Sequence, residues 1–173
     1  AVARAAALVL GAAFALKACP GRAQEGQALA DLFLRTCVAH IDDVSQLSQL
    51  VRADGAERIR SPTDARRSGA DGETWLLTTA PRWVVLHFKN GIQNGRDFAL
   101  CLVREEMDVF DETVDGLARK LALRPVPSKG ENSARRASFL IATSPALVEV
   151  TASQEPLATF TLISMTKLRE TRP

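Results

Sequence analysis

The chain has 173 residues, 46% hydrophobic and 24% charged, with 22 basic and 20 acidic side chains and a formal charge of +2 at pH 7. This balance excludes a disordered polyelectrolyte and leaves room for one ordinary domain. The excess basicity sits at one end. Residues 1–23 hold Arg4, Lys17 and Arg22 and no acid, and without them 19 basic face 20 acidic residues, a net −1 that gives no argument for nucleic-acid binding.

Ala5 to Leu16 is an unbroken apolar run preceded by Arg4. It has the length of a signal-peptide core and is shorter than the ~20 apolar residues that span a bilayer. Gly21-Arg22-Ala23 then puts small residues at the −3 and −1 positions of a cleavage site before Gln24. A secretory signal peptide over residues 1–23 and a single domain over residues 24–173 are therefore expected. Two alternatives stand beside this. The run could be an Ala-rich helix of the folded domain. Leu16-Lys17-Ala18-Cys19 also partly resembles a lipobox, with Lys17 departing from the pattern, and Cys19 would then carry a lipid and supply the only membrane contact. Either processing route leaves Cys37 and Cys101 as the ordinary thiols of the mature domain. An even number in an oxidising compartment favours a bridge between them, with Cα atoms roughly 4.4–6.8 Å apart.

Beyond the leader, Gln27 to Val38 has helical spacing, with Phe33, Leu34, Cys37 and Val38 inward. Asp42 or Asp43 can cap a second helix from Val44 to Ala53, which Asp54-Gly55 stops; one continuous helix is the alternative. Residues 54–72 read as a polar loop. Thr74 to Thr79 and Arg82 to Phe88 read as strands, the two Asn-Gly pairs of residues 90–95 as a hairpin connection, and Asp97 to Arg104 as the next strand. Val109 to Leu123 reads as a helix ended by Pro125 and Pro127, and residues 128–136 as a second polar loop. Three more strands follow: Ala137 to Thr143, Leu147 to Ala152 and Leu157 to Thr166. No internal sequence repeat is present. Sequential hairpins with helices at the start and middle predict an α+β fold, an antiparallel sheet of about six strands with two N-terminal helices and one central helix packed on it. Cys37 lies on the core face of the first helix and Cys101 on a strand face with Ala99 and Val103.

The chemical motifs are sparse. Ser164-x-x-Lys167 matches the tetrad of penicillin-recognising enzymes, but it lies in a predicted strand without the downstream elements. The two histidines, His40 and His87, supply too few convergent ligands for zinc. There is no nucleophile elbow, C-x-x-C, P-loop or dinucleotide fingerprint. No catalytic, cofactor-binding or metal-binding residue is therefore assigned. The paired acids Glu105-Glu106 and Asp111-Glu112 are expected to cap the third helix. Arg58, Arg60, Arg66 and Arg67 in the first long loop are an anion-binding candidate, with Lys129, Arg135 and Arg136 a second cluster; solvated loops are the preferred reading of both.

One Cys in the first mature helix and another in a central strand is a layout that resembles small uncharacterised exported proteins of Gram-negative bacteria. The resemblance implies an envelope address, periplasmic or secreted, and no activity. The functional expectation is a non-enzymatic module that binds an envelope protein or small ligand without a cofactor. A small hydrolase with a site assembled from loops is the alternative. Strand Arg82 to Phe88 carries the sharper question, because Val84, Leu86 and Phe88 alternate with Trp83, Val85 and His87 and both faces are apolar. The preferred expectation is coverage of both faces, by the N-terminal helices on one and the Val109 to Leu123 helix on the other. The alternative leaves Trp83, Val85 and His87 open as a partner surface.

Overall fold

The protein is seen as a computed structural model that describes residues 21–59, 72–79, 82–93, 96–129, 135–141, 146–155 and 158–168. The expected signal core and Cys19 lie outside the described residues, as do Arg60, Arg66 and Arg67. Helix α1 spans Arg22–Phe33 and runs into a π-helical turn, Leu34–Val38; α2 spans Val44–Ala53 and α3 spans Phe110–Leu121. The strands are β1 Glu57–Ile59, β2 Gly72–Thr79, β3 Arg82–Gln93, β4 Arg96–Glu105, β5 Val126–Lys129, β6 Arg135–Ile141, β7 Ala146–Glu155 and β8 Ala158–Leu168. They form one antiparallel sheet in the order β1-β2-β3-β4-β8-β7-β6-β5. The chain is thus α+β. Its six long strands are those expected from alternation, and the three-residue β1 and the four-residue β5 add short edges.

The order reveals a repetition that the sequence does not show. Helices followed by a four-strand meander occur twice, and the last strand of each meander meets the other at the centre, β4 against β8. Short outer strands suit this arrangement, since edges invite unwanted pairing; Pro127 in β5, which lacks an N–H, adds to the protection.

Local sequence accounts for the element ends. Asp43 caps α2 by accepting a hydrogen bond from the Gln46 amide at 3.0 Å. Gly55 then takes a φ of +82°, which turns the chain out of the helix. The expected hairpin connection is shorter than residues 90–95. β3 runs through Asn90 and Gly91, and Gln93 pairs with Arg96, so only the second Asn-Gly pair separates the strands. Part of the first expected loop is also ordered against the sheet, where β1 pairs with β2. At the start of α3, the Val109 amide donates to Thr161 Oγ1, which donates to the Met107 carbonyl, tying the helix entrance to the central strand β8.

The expectation that helices cover both sheet faces is overturned. Trp75 and Leu77, Val84, Leu86 and Phe88, Ala99, Cys101 and Val103, Ile163 and Met165, and Val148 and Val150 are all buried, and the strand registers put them on one face. All three helices lie on that face. The Arg52 guanidinium of α2 stacks on Trp75 at 5.3 Å, α1 packs on β4 and on α3, and α3 packs on β7. A strand apolar on both sides is compatible with this because the second apolar face is left to the solvent side. The Cys37–Cys101 disulfide joins the π-helical turn to β4 with Cα atoms 5.4 Å apart. It closes a separation of 64 residues, for which chain entropy gives about 4 kcal/mol before any native strain is subtracted.

Candidate functional site

Because successive side chains alternate, the face opposite the helices carries a second ordered set. Val85 of β3 stands beside Arg104 of β4, which stands beside Leu162 of β8; His87, Leu102 and Ser164 form the adjacent row, and Lys89, Leu100 and Thr166 the next. Of the exposed large hydrophobics among the described residues, Ile59, Trp83, Val126, Leu140, Leu147 and Leu168 fall on this face by register, while Ile92, 74% exposed near the end of β3, falls on the helix side. Trp83 is 59% exposed and Leu140 69%. Scattered surface apolar residues need no explanation, but here Trp83, Val85, Leu102 and Leu162 neighbour one another around Arg104, and Leu140 pairs directly with Leu147. The residues expected as a partner surface, Trp83, Val85 and His87, therefore all stand on the open side. The Nδ1 of His87 lies 2.9 Å from Thr74 Oγ1 on the neighbouring strand, which orients the ring along the face.

Arg104 interrupts the apolar field. Its guanidinium carbon lies 4.2 Å from the centroid of the Phe160 ring, and its Nε is buried without a hydrogen-bond partner. An unmet donor of this kind costs about 1–3 kcal/mol. No carboxylate among the described residues pairs with it. Sequence reasoning missed Arg104 because a lone arginine in a strand carries no local signal; its setting depends on Phe160, which lies on another strand.

A second feature lies on the helix side. A cleft of about 180 Å3 opens between α1 and the β2–β4 strands, lined by Leu29, Leu32, Arg35, Leu77, Arg82 and Glu105 among others. Arg82 bridges two buried carboxylates, bonding Glu25 of α1 and, at 3.3 Å, Glu105 of β4. Burial pushes the Glu105 carboxyl above the ordinary glutamate value, opposed by the charge and hydrogen bond of Arg82. Glu25 keeps one oxygen buried and unpartnered. Glu105 thus belongs to the core rather than to a helix cap.

The other candidates separate. Ser164 is on the open face while Lys167, three residues on, is on the helix face bonded to Asp42, so the tetrad cannot assemble. Arg58 pairs with Glu73 at 3.0 Å at the sheet edge. Arg135 reaches Asp108 and Asp111 and covers Phe110, whereas Arg136 stands on the open side by register, so these two do not converge; Arg60, Arg66 and Arg67 of the first cluster lie outside the described residues. Among the described residues no group of three or more His, Cys, Asp or Glu could hold a metal ion. No protein-family model, curated protein or solved structure matches the chain.

Proposed function

We propose that the chain is an exported envelope protein that works as a non-enzymatic interaction module, with its partner docking on the open face of the sheet. The observation that carries this is the gathering of six of the seven exposed large hydrophobics among the described residues, Trp83 among them, on the face that none of the described helices covers. Aromatic side chains at the centre of an apolar surface are the usual anchors of protein interfaces. The disulfide supports an oxidising address. Among the described residues no helix is long and apolar enough to cross a membrane. A leader ending at Ala23, or lipidation at Cys19, would deliver the domain to that compartment. The test is comparative capture from the protein's own envelope fraction with wild type and Trp83→Ala. The expected result is loss of a stoichiometric partner with unchanged thermal stability. Equal capture by both forms would refute the docking surface.

The hydrolase reading rests on the cleft, where a buried acid with a raised pKa meets an arginine. That pair could protonate a leaving group. The lining lacks a nucleophile or second base among the described residues. Its test is turnover of ester, amide and phosphoester substrates by wild type and Glu105→Gln. Activity lost in the variant while its fold persists would replace the binding reading.

A further inference from the structure

We infer that Arg104 is the anchor of the open face and that it receives a carboxylate from an acidic, apolar protein segment; the inference rests on the reading of that face as a docking surface. The position is central across the strand order, near the C-terminal end of β4. Arg104 lies on β4, one of the two strands at the middle of the sheet, with Val85 and Leu162 as its cross-strand neighbours. Trp83 and Phe160 sit diagonally on either side, within reach of long side chains. The guanidinium is held against the Phe160 ring, so little rotamer freedom remains to be lost when a ligand arrives.

Among the described arginines its buried Nε without an acceptor sets it apart; Arg52 likewise lies on a ring, that of Trp75. Arg35, Arg58, Arg82 and Arg135 each pair with a carboxylate, and Arg119 donates to a backbone carbonyl. Among the described residues Arg104 has the Phe160 ring beneath it and an Nε with no acceptor. A planar fork of donors held in apolar surroundings is matched by a carboxylate, which takes two parallel hydrogen bonds and supplies the missing charge.

Charge selects the occupant. Among the residues whose side chains are described, the open face by register holds Lys89, Arg96, Arg104 and Arg136 against Glu57 and Glu149. A second copy stacked face to face would set a predominantly basic surface on itself. An anionic bilayer would be met best by basic groups free of apolar neighbours, whereas Arg104 is flanked by Val85 and Leu162 and lies on the Phe160 ring. An acidic side chain flanked by apolar ones, presented by a partner protein, satisfies both the charge and the apolar surface.

The experiment uses short apolar peptides carrying one central Asp, each paired with its Asn counterpart, titrated against the full chain. Wild type should prefer Asp over Asn by at least about tenfold, the scale of a bidentate charge-assisted contact. Arg104→Gln should equalise the two, Arg104→Lys should recover only part of the preference, and Trp83→Ala should weaken both peptides alike. If Arg104→Gln does not fold, the wild-type preference and the Arg104→Lys titration still decide. Equal binding of Asp and Asn peptides, both lost in Trp83→Ala, would overturn the role of Arg104 while leaving the docking face intact. Binding untouched by either substitution would overturn both. Failure of wild type to retain any peptide also overturns the inference. So does Arg104-dependent retention on phosphatidylglycerol vesicles, or a dimer dissolved by Arg104→Gln.

Discussion

Two carboxylates buried beside one guanidinium cannot all be charged without penalty, and the molecule resolves this at Glu105. Glu25 and Glu105 share Arg82, and burial holds the Glu105 carboxyl above 4.5, the ordinary value of its type. A group whose pKa is raised on folding binds its proton more tightly in the folded state. Its contribution to stability is therefore complete below about pH 4.5 and is lost as pH rises through the raised value. Glu105→Gln, which mimics the protonated form, should remove this loss. The stability of the variant relative to wild type should then increase as pH is raised above 4.5, measured by denaturant unfolding at a series of pH values. A difference that is flat with pH would show that Glu105 is ionised normally in the folded protein. None of this was legible in the sequence, where Glu105-Glu106 looks like the approach to a helix. Its partner Arg82 is 23 residues away, and Glu25 lies 57 residues from Arg82, so only the fold makes them a cluster.

At the scale of elements, the helical layer depends on a close crossing of α1 and α3. A Cβ added at Gly26 would fall on Glu112 Cβ and lie 2.8 Å from the Glu112 and Thr113 backbone. One added at Gly116 would lie 3.2 Å from Ala30 Cβ, a side chain that can shift slightly. Gly26→Ala should therefore cost about 1–3 kcal/mol by overpacking against backbone that cannot yield. Gly116→Ala should cost much less, because a contact of a few tenths of an ångström is offset by the ~1 kcal/mol advantage of Ala within a helix. Chemical denaturation of the two variants makes the comparison, and equal losses would place the crossing elsewhere. The elements themselves were well marked. Period-two runs located the six long strands, and Asp43 and Asp54-Gly55 bounded α2. What escaped was short or context-bound. β1 and β5 have too few residues for a period, and Asn90-Gly91 carries a turn signal that β4 overrides by pairing through it.

Layering is the property of the whole molecule on which the proposed docking reading rests, and it was the property least legible in the chain. Strand β3 is apolar on both sides, a pattern shared by a central strand covered twice and by a strand with one bare face meant for a partner. The choice depends on where α3 returns, and it returns to the same side as α1 and α2: α1 packs on both α3 and β4, and α3 packs on β7. The two tryptophans then report on the two faces. Trp75 is 1% exposed under the helices, with its Nε1 bonded to Glu73 and Arg52 stacked on its ring, while Trp83 on the adjacent strand is 59% exposed on the open side. Substituting each by alanine separates structure from surface. Trp75→Ala should destabilise the fold by about 3–5 kcal/mol, the cost of removing a buried aromatic. Trp83→Ala should change stability by no more than about 0.5 kcal/mol. Iodide should quench the fluorescence that remains in Trp75→Ala and leave that in Trp83→Ala largely untouched. A large loss of stability in Trp83→Ala, or a Trp83 shielded from iodide in the monomer, would mean that this face is covered after all and that no partner docks there.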